Sequence, residues 1–301
     1  MRLFSSYSVK IKHYNHIFQK TVNLYRNAVD FLIEVCLNEW DTIVNIHPER
    51  LRLTYVEHLC HLGRTHTNVA YPEFDRKFYK FPSYLRRSAI NEAIGKVSSY
   101  RGNLANWEGE DPKTRGRKPS LPRAGYAYPS MYRTVMYEQT GDYEMRIKVF
   151  IRNTWDWITV KVRKSDMDYI NRRCAARKKC APTLQKRGKG WFLDFPFKEY
   201  LELPEVDVFD QVILSVDLGI NSPAAVSVMR ADGTVLGRHF CKLPNEYDSL
   251  THAVNRIKKA QQHGNRKTPR LWAKAKGVNL DISVKTAQFI MDIARLYNVD
   301  M

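Results

Sequence analysis

The chain has no CxxC pair: its five cysteines, Cys36, Cys60, Cys174, Cys180 and Cys241, stand apart. Cys174 and Cys180 do not match a zinc-ligand spacing, so inert or buried thiols are expected rather than a metal site or a disulfide framework. Long apolar runs are also missing. No stretch approaches the roughly 20 apolar residues needed to span a bilayer. The N-terminal "MRLFSSYSVKIKHYN" carries neither a signal-peptide core nor a lipidation signal. An intracellular protein is expected. Acidic residues are the third shortage: 49 Lys and Arg stand against 31 Asp and Glu, a formal net charge of +18. An excess that large favours a polyanionic partner.

What is present falls into blocks along 301 residues, a length that suits two or three domains. "FSSYSVKI" (4–11) alternates like a strand. Phe18, Val22, Tyr25, Val29, Leu32 and Cys36 then form one helical stripe. Pro48 breaks it, and a second helix is expected over about 49–63. A third helix begins near Ser83, a candidate N-cap, with Ile90, Ile94, Val97, Tyr100 and Leu104 turned inward. Residues 110–130 are rich in Pro, Gly and basic residues and read as a loop.

After that loop the period switches to two. "YRTVMYEQ", "YEMRIKVFIR" and "WDWITVKVR" alternate, with Gly141-Asp142 and Asn153-Thr154 as turn candidates. "KSDMDYINRRCAARKKC" reads as a short basic helix. "KRGKGWFLDFPFKEY" returns as a strand with Trp191, Leu193 and Phe195 on one face. A β-rich middle section, possessing the fold of a small barrel, is the expectation.

From residue 211 the pattern is strand 212–218, strand 224–229, an Asp232-Gly233 turn and strand 234–241. A basic helix over about 246–263 follows. A final helix buries Val284, Ala287, Ile290, Ala294 and Tyr297, and a strand opens at "NVDM". Val212, Ile213, Leu214 and Val216 read as a strand buried on both faces. Asp217 ends that run. A carboxylate there is costly unless it meets a cation or several donors. A strand-end cap or a lysine partner is the plain structural explanation; metal ligation is the functional one.

"ILSVDLGINSPAAVSV" (213–228) resembles the first RuvC motif of the transposon-encoded TnpB nucleases (insertion-sequence OrfB proteins) and of the type V CRISPR effectors. "VKTAQFIMDIARLYNVDM" resembles the helix and strand leading into that family's second RuvC motif. "KTRGRKPSLPR" and "GWFLDFPFKEY" are similar to its basic loop and to its last strand before the nuclease domain. The resemblance implies an α+β multidomain chain. Residues 1–12 would be the first strand of a β-barrel wedge domain and 13–109 a helical recognition insertion. Residues 110–130 would be a basic linker, 131–210 the wedge barrel and 211–301 the N-terminal part of an incomplete RNase H-like RuvC domain.

The resemblance further implies a Mg²⁺-dependent RNA-guided DNA endonuclease in the prokaryotic cytoplasm, with a guide RNA and target double-stranded DNA as partners. Asp217 would be the catalytic residue and a ligand to two Mg²⁺ ions roughly 4 Å apart. Gly219 would allow close backbone approach, and Ala224 and Ala225 tight packing. Two further acids are expected in that family, and none in this sequence matches them; Asp300 reads as an edge residue. The chain alone is therefore expected not to cut DNA, unless another segment, a second polypeptide or a second copy completes the site. An RNA-guided repressor without cleavage is the alternative.

The charge runs supply the candidate nucleic-acid contacts. Arg86 and Arg87 lie on the third helix, and Lys113, Arg115, Arg117, Lys118 and Arg123 in the linker. Arg172, Arg173, Arg177, Lys178 and Lys179 form a second cluster, and Lys186, Arg187 and Lys189 a third. Tyr126, Tyr128, Tyr132 and Trp191 are candidate stacking aromatics. An actin-type ATP site also has Asp-x-Gly after its first strand, but Ile220-Asn221 follow here where a phosphate-binding Ser or Thr is wanted. A plain RNA-binding module explains the charge but not the 211–241 meander.

Overall fold

The computed structural model describes residues 1–12, 16–63, 67–132, 134–202, 206–220, 222–265 and 267–300. Arg133, Asn221 and Met301, which fall in an expected strand, the RuvC-like motif and the expected last strand, lie outside the described residues. The chain divides into two compact units, Met1–Glu202 and Leu203–Met301.

The first unit opens with β1 (Arg2–Lys10) and α1 (His16–Asn38). All six residues of the expected α1 stripe are buried, joined by Ala28, Ile33 and Val35. The short α2 (Trp40–Val44), α3 (Arg50–Cys60) and short α4 (Glu73–Lys77) lead to α5 (Ser83–Gly109). Ser83 is the first helical residue rather than the cap; Pro82 precedes it, and no side chain caps the end. α5 packs against α1 through Leu85, Ala89, Ile90, Ala93 and Val97. Phe31, Phe74, Phe78 and Phe81 close the end of that pair with tilted and edge-on ring contacts.

After the loop come β2 (Tyr137–Gln139), β3 (Glu144–Ile151) and β4 (Thr154–Lys161), an antiparallel sheet in sequence order. The β3–β4 turn is Arg152-Asn153, one residue earlier than expected. Both have positive φ (48° and 61°), the backbone that a two-residue hairpin loop demands. α6 (Lys164–Arg173), β5 (Lys178–Lys179), β6 (Thr183–Arg187) and β7 (Gly190–Tyr200) complete the unit. β7 is the centre of the second sheet, with β1 on one side and β5 and β6 on the other. A bridge from Ile11 to Val162 links the two sheets.

Helices and strands share one core, because Phe18 of α1 meets Trp191 of β7 at 5.3 Å between ring centroids. Thr21 stitches them again. Its Oγ1 accepts the Phe150 N–H at 3.0 Å while donating to the Ile17 carbonyl at 3.1 Å.

The second unit is β8 (Val212–Asp217), β9 (Ala225–Arg230), β10 (Val235–Phe240), α7 (Pro244–Gln262) and α8 (Pro269–Leu296). The meander runs antiparallel in the order β10-β9-β8, so β8 is an edge strand. It is half-buried then exposed along its length, not buried on both faces as its apolar run suggests. Asp232 shapes the β9–β10 turn by accepting the Thr234 N–H at 2.8 Å, and Gly233 supplies the left-handed φ of 88°.

α8 covers one sheet face with Ile293, Phe289, Ile290 and Tyr297 against Val226, Val228, Val212 and Leu214. Its buried positions include Ile282, Thr286 and Ile293, so Val284 (59% exposed) and Ala287 fall outside the packed face, contrary to the expected stripe. Ala253, Ile257 and Ala275 seal α7 to α8, and Lys285 bonds Glu246 at 2.5 Å and Asp281 at 2.9 Å.

Candidate metal and nucleic-acid sites

Side chains alternate across a strand. The registers place Asp217 beside Ala225 and Phe240, and Ser215 beside Ser227 and Arg238. These residues share the sheet face opposite to the one that α8 covers. Asp217 is exposed at the end of β8, and Phe240 is 60% exposed. The chain turns sharply after Asp217. A Cβ on Gly219 would stand 3.1 Å from the Ser222 carbonyl oxygen, tight enough to favour glycine. Ser222 Oγ donates to the Cys241 carbonyl at 2.9 Å, and Ala224 is fully buried beneath it. The expected roles of Gly219 and Ala224 thus have local counterparts.

Among the described residues Asp217 forms no salt bridge, and no group of three or more His, Cys, Asp or Glu could hold a metal ion. One exposed carboxylate does not fit a two-Mg²⁺ centre. Asp300 is engaged elsewhere: its N–H donates to the Val212 carbonyl at 2.9 Å, and its Oδ2 accepts the Val212 N–H at 3.0 Å. The final residues therefore lie alongside the start of β8.

In the first unit the basic residues sort by what their charge touches. Arg86 is a correction to the candidate set. It is 6% exposed and bound to Glu57 through Nε at 3.0 Å and Nη2 at 2.9 Å, so its guanidinium is consumed inside the helical core. Arg87 shares Glu57 at 3.3 Å but keeps a half-exposed side chain.

The linker residues are held to α1 and α5. Asp30 Oδ1 accepts the Ala124 N–H at 2.6 Å, Arg26 Nε donates to the Ala127 carbonyl at 3.0 Å, and Trp107 Nε1 donates to the Gly116 carbonyl at 2.7 Å. Arg115 lies 4.0 Å over the Trp107 ring, with Lys118 at 5.8 Å. Lys113, Arg117, Lys118 and Arg123 are exposed.

In the second cluster Arg172, Arg173 and Lys178 are exposed, but Arg177 pairs with Glu199 at 2.8 Å and reaches Ser5 and Tyr7. Lys179 lies over the Phe195 ring at 4.2 Å. In the third, Arg187 binds Asp194, Lys186 donates to Gln19 Oε1 at 2.8 Å, and Lys189 is exposed in the β6–β7 turn. The clusters are therefore part solvent-exposed charge and part internal scaffold.

The aromatics divide in the same way. Trp191 is fully buried core and is not available to stack, Tyr128 lies under Arg26, and Tyr132 packs on Tyr84. Tyr126, at 89% exposure, is free to meet a base. The residue patterns did not single out Trp157, half-buried on β4 with Arg146 at 5.3 Å and Lys148 at 5.9 Å from its ring. The signal was there in the register, since Lys148 is opposite Trp157.

Comparison with known proteins gives a match within the first unit. Residues 5–151 match the Aq_aa04 family. The uncharacterized protein aq_aa04 of Aquifex aeolicus (strain VF5) is 30% identical over 128 residues, which cover 39% of this chain and 71% of that protein. The chain belongs to the Aq_aa04 family. The Aq_aa04 match takes in α1 to α5, the basic linker and β3. The basic residues 172–189 and Asp217 lie beyond it. No helix among the described residues is long and apolar enough to cross a membrane.

Proposed function

We propose that this protein is an RNA-guided DNA-binding protein of the TnpB and type V effector kind. Base pairing reads the target while basic protein surfaces hold the heteroduplex by its backbone. Asp217 contributes one carboxylate to a Mg²⁺-dependent RuvC site, completed by acids from another segment or chain. The observation that carries this reading is the order of the second unit. Three antiparallel strands are followed by helices, α8 packs on one sheet face, and the chain returns beside β8 at Asp300. Asp217 stands exposed at the end of that same strand. The exposed linker cations and the net charge of +18 support the polyanion partner.

The test uses the chain with its bound RNA, any partner polypeptide and a DNA matching that RNA. Guide-dependent DNA binding is expected. Where cleavage occurs, Asp217→Ala abolishes it and leaves guide and target binding nearly intact; cleavage retained by that variant contradicts the assignment. A second reading, an RNA-guided repressor without cleavage, is favoured by one observation. Among the described residues, no group of three or more His, Cys, Asp or Glu able to hold a metal ion forms around Asp217.

A further inference from the structure

β1, β7 and β6 lie side by side, and directly paired residues point to the same face of their sheet. One face is core, with Val9, Leu184, Leu193 and Phe195 all buried. Pairs such as Phe4–Lys198, Arg2–Tyr200 and Lys10–Phe192 turn the other way. That second face is open. Phe4 is 57% exposed and Tyr200 68% exposed at one end, and Ser6 and Ser8 are exposed along β1 towards the other.

Three aromatic rings on this face each carry a cation. Arg2 lies 4.9 Å over the Phe4 ring, Lys198 4.4 Å over Tyr200 and Arg187 5.4 Å over the half-buried Phe192. Lys10 and Lys178 join them by register, opposite Phe192 and Lys198. Among the described strand residues one acid, Asp194, shares the face with these five cations. Its Oδ2 binds Arg187, whose Nη1 also donates to Ser8 Oγ, so the acid is neutralised and the guanidinium is fixed across all three strands. Phe192 is six residues along β7 from Lys198, about 20 Å at the rise of a strand. Rings spaced along a flat sheet and interleaved with cations suit a polymer that alternates planar bases with phosphates. An apolar protein surface would bury those cations against a single acid that Arg187 already occupies. The hydroxyls of Ser6 and Ser8 between the rings suit ribose 2′-hydroxyls, which DNA lacks.

We propose that the open face of the β1–β7–β6 sheet binds single-stranded RNA, an inference that rests on the RNA-binding reading above. Two or three unpaired bases, the number that a sheet platform stacks, lie on Phe4, Tyr200 and Phe192. The cations beside those rings hold the intervening phosphates.

The test measures binding of the full chain to a mixed-sequence single-stranded RNA, to DNA of the same sequence and to the RNA annealed to its complement. The single-stranded RNA is expected to bind most tightly. Phe4→Leu and Tyr200→Leu keep an apolar side chain at exposed positions but remove the ring. Each is expected to weaken single-stranded RNA binding about tenfold, the scale of one base stack, with the salt dependence unchanged. Phe4→Tyr keeps a ring and retains the binding. Lys113→Gln, in the linker, weakens binding and lowers its salt dependence instead.

RNA binding that ignores both leucine variants but weakens in Lys113→Gln overturns the platform and leaves the RNA reading standing. No RNA binding by the chain overturns both. DNA or duplex bound as tightly as the single-stranded RNA, and lost in the same variants, overturns the assignment of unpaired RNA. Self-association of the chain that the leucine variants abolish, with RNA binding unaltered, overturns the platform in favour of a second copy.

Discussion

Asp300 grips Val212 twice, donating its backbone N–H to the Val212 carbonyl at 2.9 Å and accepting the Val212 N–H on Oδ2 at 3.0 Å. The pair ties the residues after α8 to the first residue of edge strand β8, whose opposite end carries Asp217. Asp300→Ala removes the side-chain half and should cost about 1 kcal/mol, read as a lower urea midpoint with an unchanged slope. It should leave Mg²⁺ titrations of the chain unaltered, because this carboxylate serves the sheet edge. A change in Mg²⁺ binding without a stability loss would reverse that assignment.

Arg86 tests which cations belong to the core. Arg86→Met removes a buried partner of Glu57, and Arg87 at 3.3 Å compensates only in part. The expected loss is on the order of 3 kcal/mol in urea unfolding. Nucleic-acid affinity of the folded variant should be unchanged. Arg117→Gln, at an exposed linker residue, should show the opposite pattern: weaker, less salt-dependent binding at unchanged stability.

Gly237 lets Tyr297 of the chain after α8 lie against β10, where its hydroxyl meets His239 Nε2 at 3.0 Å. A Cβ at 237 would stand 2.3 Å from the Tyr297 oxygen and 2.9 Å from Cζ. Gly237→Ala therefore displaces the tyrosine and should cost about 1–3 kcal/mol by overpacking. Adding Tyr297→Phe relieves the closest contact, so the double variant should be less destabilised than the sum of the two single changes. Strict additivity would place the cost elsewhere.

Two buried thiols give an alkaline prediction. Burial pushes Cys36 from the ordinary 9.0 up to about 12, and burial, then neighbouring Cys36, does the same for Cys60. The unfolded chain releases these protons first, so their contribution to stability is complete below about pH 9 and is lost as pH rises towards about 12. Cys36→Ala/Cys60→Ala should flatten the urea stability profile across that window. In the native protein at pH 8 only Cys180, the one cysteine of the five that is not buried, should react readily with a thiol reagent.

Much of the fold is legible in the sequence where one apolar stripe has one possible partner. The α1 stripe, the loop at 110–130 and the three-strand meander at 212–241 follow directly from periodicity and turn chemistry. α8 was harder. The expected final helix leaves out the turns from Pro269 through Gly277, although Pro269 is a good first helical residue. That helix carries two apolar stripes, Ile282-Phe289-Ile293 and Leu280-Val284-Met291, and only the packed sheet decides between them. An apolar strand likewise does not announce whether it lies at a sheet edge, as β8 does.

The candidate site divides by the same logic. Asp217 was legible because a carboxylate closes an apolar run. The occupation of Arg86 by Glu57, Arg177 by Glu199 and Arg187 by Asp194 was not, because a charge run looks the same whether its partners are solvent or distant acids. Tertiary pairing, not local composition, separates scaffold cations from those left facing solvent.

RNA-guided binding is the central claim, and the most direct measurement is to purify the chain from its native locus and sequence the RNA that accompanies it. The account predicts one discrete structured RNA, enriched over total cellular RNA and lost when the exposed linker cations are replaced. Only a random sample of cellular RNA, or none, would contradict it.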